Sequence, residues 1–323
     1  MFRDIFSARR SWSLGLSATP EREADDAFDD VLVKELGEIL GTYSYADGFR
    51  DGIIPPFDIL NYGVVLDNDE QAKYSQLTKE IQHALDRLKM RYPGLDSGSV
   101  KLEMALRALQ KKHPDDRNIL LYFQKTKERK DEVIYPANNR RKIVRVVLNR
   151  VLGEEGDASP FGADSPLNCI SLKDKVIIFH EKIDEVNSLY RDLGSKEVSI
   201  YHSGFPEVIN RVGLRLFKAG QTKVLLSVRS LIEGVNIPMT SLGIIMASSS
   251  SQTQRIQSLG RVLRKAEGKE HTKLLIIYVK GTTDERIYYK GIDWESIVGK
   301  GKLEFRLWSE FGEMPIDPPQ KRE

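Results

Sequence analysis

The chain has 323 residues, 40% of them hydrophobic and 30% charged, with a net charge of +2. It contains no apolar run of the ~18 residues that a membrane span needs, and the N-terminal MFRDIFSARRSW has no signal-peptide core. One cysteine, Cys169, rules out an internal disulfide and a cysteine-rich zinc site, and points to a reducing compartment.

Trp12–Leu16 reads as a short buried strand running into Ser17-Ala18-Thr19-Pro20. Small hydroxyl residues at a strand end can hydrogen-bond neighbouring loops and relay a shift between them. Over Asp25–Leu40, charges alternate with Phe28, Val31, Leu32, Leu36, Ile39 and Leu40, which predicts an amphipathic helix closed by Gly41. Ile53-Ile54-Pro55-Pro56 is a breaker and a candidate linker.

Gly63–Leu66 is a short apolar run followed by Asp67-Asn68-Asp69-Glu70. An acidic pair after a strand could hold magnesium, but no Gly-rich phosphate loop precedes it. These acids instead open a helix, where they favour the positive end of its dipole. Tyr74, Leu77, Ile81, Leu85 and Leu88 then recur at helical spacing. Leu102, Ala105, Leu106 and Leu109 mark a second helix, Ile119–Phe123 a third apolar patch, and Val144, Val147, Leu148 and Val151 a fourth element, again helical. That last helix opens with Arg140, Arg141, Lys142 and Arg145, a run that reads as a solvated face or as a contact to a nucleic-acid backbone. Gly153–Pro166 reads as a loop.

From residue 170 onward the pattern is regular. Val176–His180, Val198–His202, Val224–Val228, Leu242–Ala247 and Leu274–Val279 are continuous apolar runs. The first two intervening stretches are amphipathic, with apolar faces at Ile183, Val186, Leu189, Tyr190 and Leu193, then Ile209, Val212, Leu216 and Phe217. Such alternation predicts an α/β domain, a parallel sheet covered by helices on both faces. Ligands of such sheets sit beyond the carboxyl ends of the strands. The polar candidates there are His180, Ser203, Ser227, Arg229 and Glu233–Pro238. His180 and His202 lack the partners of a tetrahedral zinc site, and no metal ligand set is assigned. In Ser251–Lys265, Arg261 and Arg264 stand three residues apart behind Gly260. On a helix they share a face, and their planar forks suit a phosphate. The tail from about Trp308 reads as Pro-rich, charged and loose.

The order SLGLSATPERE, VIIFH, YHSG, a strand ending in Ser227, EGVNIP and QSLGRVLRK resembles superfamily 2 helicases from motif III to motif VI. The nearest flavour is XPB-like, RadD-like and restriction-helicase. DEAD-box proteins are less similar, since Gln257-Ser258 stands where their motif VI has His-Arg; Swi/Snf-type remodellers also fit less well. The resemblance implies a RecA-like fold and an ATP-dependent DNA helicase or translocase, with RNA a possible substrate. It assigns Arg261 and Arg264 to the ATP γ-phosphate as arginine fingers, and Gly234, Asn236 and Gln257 to the nucleotide. Asn236 replaces the usual aspartate. His180, Ser203, Gly204, Ser227 and Arg229 fall to the nucleic-acid groove, and Ser17 and Thr19 to coupling of hydrolysis to unwinding. The expected division is a remnant of a first RecA-like domain over 1–54, a helical segment over 55–155 and a second RecA-like domain over 156–323.

The sequence has no Gly-Lys-Ser/Thr phosphate loop and no Asp-Glu box; Val298-Gly299-Lys300-Gly301 lacks the hydroxyl. The resemblance therefore implies that an N-terminal half supplies these groups and holds Mg2+, and that this chain alone is inactive. The alternative is a non-catalytic nucleic-acid-binding or docking module. Either implies a cytoplasmic protein, nucleoid-associated in a prokaryote and nuclear in a eukaryote.

Overall fold

The computed structural model describes residues 11–16, 28–53, 57–95, 99–153, 161, 164–170, 172–194, 197–228, 240–248, 272–289 and 301–320. These divide into two compact units, one formed by residues up to Tyr43 with Ser75–Arg129, the other by Ser44–Tyr74 with everything from Lys130. None of the described helices is long and apolar enough to cross a membrane.

The second unit is built on one sheet of eight strands. They are β1 (Phe57–Val64), β2 (Val176–His180), β3 (Val198–Tyr201), β4 (Val224–Val228), β5 (Leu242–Ile245), β6 (Thr272–Val279), β7 (Leu303–Ser309) and β8 (Gly312–Pro315). Their order across the sheet is β3-β4-β2-β5-β6-β1-β7-β8. Every pairing is parallel except β7–β8. The five strands expected after residue 170 all form, because continuous apolar runs suit a sheet buried on both faces. Phe57, Ile59, Ile177, Phe179, Leu225, Ile245, Leu274 and Ile276 interlock with Phe217 in its core.

Three features depart from the sequence reading. First, Phe57–Val64 is an interior strand, although only its end reads as apolar. Its polar Asn61 is buried because both ends of the amide are used: Nδ2 donates to the Glu304 carbonyl at 3.2 Å and Oδ1 accepts from the Tyr288 hydroxyl at 2.9 Å. Second, the tail is ordered. β7 and β8 close a hairpin whose Trp308 is 1% exposed, and Arg306 is clasped by Asp164, Glu304 and Glu313. Third, Trp12–Leu16 is no buried strand. Trp12 is 94% exposed, and no described strand pairs with the segment. A strand needs a neighbour to take its N–H and C=O groups, which alternation alone does not provide.

The helices follow their apolar spacing. α3 (Asn68–Arg91) buries Tyr74, Leu77, Ile81 and Leu88. α4 (Ser99–Lys112) and α5 (Arg117–Arg129) join it in the first unit around Leu88, Leu95, Leu102, Leu106 and Ile119. In the sheet unit, α6 (Asn138–Leu152) buries Ile143, Val144, Val147, Leu148 and Val151. α7 (Ile183–Leu193) ends at Gly194, whose φ of 54° is the left-handed value a glycine adopts without strain. α8 (Glu207–Lys218) differs from expectation. Ile209 and Val212 stay largely exposed, while Asn210 is buried beside Phe217. The helix expected over Asp25–Leu40 is short and irregular, wide turns over Phe28–Val33 leading into α1 (Lys34–Leu36) and stopping at Gly37. α2 (Tyr45–Arg50) is capped by a reciprocal pair of bonds between Ser44 and Asp47.

Candidate functional site

The parallel sheet brings the carboxyl ends of β3, β4, β2 and β5 to one edge. Phe179 pairs with Ser227 and Ile245, and Ser227 with Tyr201, so these four residues lie on one rung. The next residues along the chain, His180, Val228, Met246 and His202, lead into the loops. Of the expected site residues, His180, Ser203, Gly204 and Ser227 are described and share this edge. Ser17, Thr19, Arg229, Gly234, Asn236, Gln257, Arg261 and Arg264 lie outside the described residues.

Ser203 and Gly204 stand exposed in the turn after β3. The turn is held from below by His202, which is buried and stacks on Phe205 with ring centroids 4.3 Å apart. His202 Nδ1 accepts from the Gly204 N–H at 3.1 Å, which leaves Nε2 to donate to Asn187 Oδ1 at 2.9 Å. A Cβ on residue 204 would stand 3.0 Å from Nδ1, so glycine is the residue that lets the turn close over the ring. Asn210, from α8, accepts from the His202 N–H at 3.1 Å and donates to the carbonyls of His202 and Phe205 at 2.9 and 3.3 Å. Burial lowers the His202 pKa, consistent with a neutral ring in this role. His202 and Asn210 were missed as site residues by sequence reasoning. Their signal was a histidine at a strand end followed by Ser-Gly.

His180 is 3% exposed. Its Nδ1 accepts from the Lys182 N–H at 3.0 Å, and Nε2 lies 3.5 Å from the Tyr135 carbonyl. Burial first, then the neighbouring Arg140 and Arg141 cations, push its pKa down to about 3. The ring is therefore neutral and shapes the turn between β2 and α7 from within. Ser227 is also buried, its hydroxyl donating to the Val228 carbonyl at 3.2 Å. Both side chains are buried.

The basic run that opens α6 is only partly turned inward, since Lys142 and Arg145 stay exposed. Arg140 is fully buried and donates to the Met246 carbonyl, at the end of β5, and to Asp284. Arg141 grips Glu185 on α7, with Nε at 2.9 Å, and Lys142 meets Glu310. Arg140 and Arg141 thus hold α6 against the end of β5 and against α7, and the exposed part of the run is reduced to Lys142 and Arg145. Asp67 and Glu70 are likewise occupied. Each accepts the other's backbone N–H, at 2.9 and 3.0 Å, in a capping box at the start of α3, and Asn138 donates to both. Such engaged carboxylates do not suit Mg2+, which needs free oxygens around an octahedron. Among the described residues no group of three or more His, Cys, Asp or Glu is placed to hold a metal.

Residues 165–266 match the family model of the helicase conserved C-terminal domain. This stretch runs from the turn before β2 through the four adjacent strands to the end of QSLGRVLRK. Over this stretch the chain carries a helicase conserved C-terminal domain. The chain is 25% identical over 277 residues to the DNA 3'-5' translocase XPB2 of Sulfurisphaera tokodaii, covering 85% of this chain and 54% of that protein. Over 105 residues it is 32% identical to the UvrABC system protein B of Helicobacter hepaticus, covering 31% of this chain and 15% of that protein. The chain thus spans about half the length of the first relative and a smaller part of the second. A solved structure similar to it is a fragment of a putative HsdR subunit of a type I restriction enzyme from Vibrio vulnificus YJ016. That likeness has 15% identity and a TM-score of 0.49, and covers 92% of this chain and 44% of that one.

Proposed function

We propose that this helicase portion belongs to an ATP-dependent DNA translocase or helicase, and that it contributes half of a shared active site. The observation that carries the reading is the family match over 165–266, which includes Gly234, Asn236, Gln257, Arg261 and Arg264. In this reading Arg261 and Arg264 offer their guanidinium groups to the terminal phosphate of ATP, stabilising charge that develops there. Gly234, Asn236 and Gln257 contact the nucleotide. Ser203 and Gly204 present a hydroxyl and a turn to a nucleic-acid phosphate, and Arg229, two residues after Ser227, adds a cation to the same groove. His180 and Ser227 act from beneath, by fixing the strand exits. Ser17 and Thr19 couple hydrolysis to movement. DNA is favoured over RNA because the XPB2 relative is a DNA translocase. The protein works in the cytoplasm or nucleus.

The sequence holds no Gly-Lys-Ser/Thr loop and no Asp-Glu box. We place the phosphate cradle and the Mg2+ ligands on an N-terminal helicase half. Magnesium, held there, would neutralise charge between the β- and γ-phosphates. The test is ATP hydrolysis by the 323-residue chain, with and without single- and double-stranded DNA. The expected result is background turnover alone, DNA-stimulated turnover when a polypeptide carrying the two missing motifs is added, and loss of that turnover in Arg264→Ala. Hydrolysis by the chain alone that Lys300→Ala abolishes would sink the shared-site reading. Failure of every added half to restore turnover would favour a docking module.

A further inference from the structure

The small net charge of the chain conceals an asymmetry. Ser75–Arg129, the helical part of the first unit, carries twelve lysines and arginines against seven acids. That is +5, which leaves −3 for the rest of the chain. A charge difference of this kind between parts of a chain points to a polyanionic partner for the basic part.

Much of the excess gathers where three helices meet. The end of α3, the end of α4 and the start of α5 converge on Asp116. Its carboxylate accepts from the Tyr92 hydroxyl at 3.0 Å and the Asn118 N–H at 2.9 Å, and pairs with Arg91 at 3.1 Å. Desolvation would raise its pKa, but these donors outweigh burial and hold it below the usual carboxylate range. The Arg91 guanidinium also lies 5.7 Å from the Tyr92 ring centre, and the His113 ring packs 5.6 Å from the same ring. Around this hub Lys111, Lys112, His113 and Arg117 are exposed. None of Lys111, Lys112 and Arg117 makes an ion pair among the described residues. Asp115 is the exposed acid in the same turn, so the surface stays cationic after it is counted.

Helix chemistry alone does not account for the cluster. Cations in the last turn of α4 suit its dipole, so Lys111 and Lys112 could serve the helix only. Arg117 opens α5, where the dipole disfavours a cation. Its presence there costs the helix something and adds positive charge to the surface. Arg91, paired with Asp116 and set near the Tyr92 ring, adds a further cation to the same surface. Exposed cations gathered at one helical corner suit the phosphates of a nucleic-acid backbone. Contacts to phosphate position a duplex and do not read its sequence.

We infer that this corner, formed by Arg91, Lys111, Lys112, His113 and Arg117 around Tyr92, is a second nucleic-acid contact, made to the phosphate backbone and separate from the turn at Ser203-Gly204. The choice of a nucleic acid as the polyanion rests on the helicase reading, but the surface can be tested apart from hydrolysis. The full chain is titrated with a fluorescein-labelled 30-base-pair duplex over a range of salt. Lys112→Glu/Arg117→Glu should weaken binding at least tenfold and reduce the slope of log affinity against log salt by about two. Lys112→Gln/Arg117→Gln should lose less affinity, with circular dichroism confirming that both variants fold. Lys79→Glu/Lys218→Glu makes an equal charge change at exposed lysines outside the patch and should change binding by less than about twofold. Equal weakening by the patch and control pairs, or none by either, overturns the inference. Binding to vesicles rich in anionic lipid without binding to the duplex also overturns it. If hydrolysis cannot be restored while the patch variants still lose duplex binding, the helicase reading fails and the contact surface stands.

Discussion

Arg140→Met removes a cation that the sheet unit has enclosed. Arg140 is 0% exposed, and its two terminal nitrogens serve different strands, Nη1 the Met246 carbonyl after β5 and Nη2 the Asp284 carboxylate after β6. Asp284 is 8% exposed and keeps one other donor, the Val279 N–H at 3.0 Å. Methionine has similar reach and fills much of the volume, so the cost is electrostatic. Removing one partner of a buried ion pair leaves the other charge uncompensated, at about 3–5 kcal/mol. The carbonyl of Met246 also loses its donor, which makes the upper part of that range the expectation. Urea denaturation followed by circular dichroism would measure it. The double variant Arg140→Met/Asp284→Asn is the decisive arm. It leaves no buried charge, so it should be more stable than Arg140→Met alone. A loss below about 1 kcal/mol for the single variant, or a double variant at least as unstable as the single, would refute the claim that this pair is a buried electrostatic staple.

Two further outcomes follow from the turns at the sheet edge. Asn210→Ala deletes one acceptor and two donors beneath Ser203-Gly204 and leaves the His202 N–H unpaired; the loss should be about 2 kcal/mol, with faster proteolysis at that turn. His180 makes stability depend on pH. Its folded pKa of about 3 lies below the unfolded value, so between these two values the unfolded state binds the extra proton. Stability from the neutral ring is fully present above about pH 6.5 and falls by up to about 1.4 kcal/mol per pH unit as the pH drops toward the folded value. His180→Gln should flatten that slope in denaturation curves taken between pH 6 and 4, and an unchanged slope would mean that the ring is not held neutral.

The sequence was legible where a local pattern and the final environment agree. VIIFH and VLLSV are apolar on both faces and end up in the middle of a parallel sheet, so their composition already states their surroundings. The turn at Ser203-Gly204 was legible for the same reason, since its glycine answers a constraint two residues away. What stayed hidden depends on partners far along the chain. Phe57–Val64 contains Asp58 and Asn61, which look wrong for an interior strand until partners more than 200 residues away supply the hydrogen bonds, Lys302 to Asp58 and Tyr288 and Glu304 to Asn61. Arg140 looks like one more surface cation in a basic run, and the Met246 carbonyl and Asp284, more than 100 residues on, make its burial tolerable. Trp12–Leu16 errs the other way, an alternating apolar segment with no described strand to receive it. A polar residue in a strand or a cation on a helix carries no mark that tells a buried partner from water. Pattern reading then defaults to the surface, and that default failed here at Arg140, where distant partners set the environment.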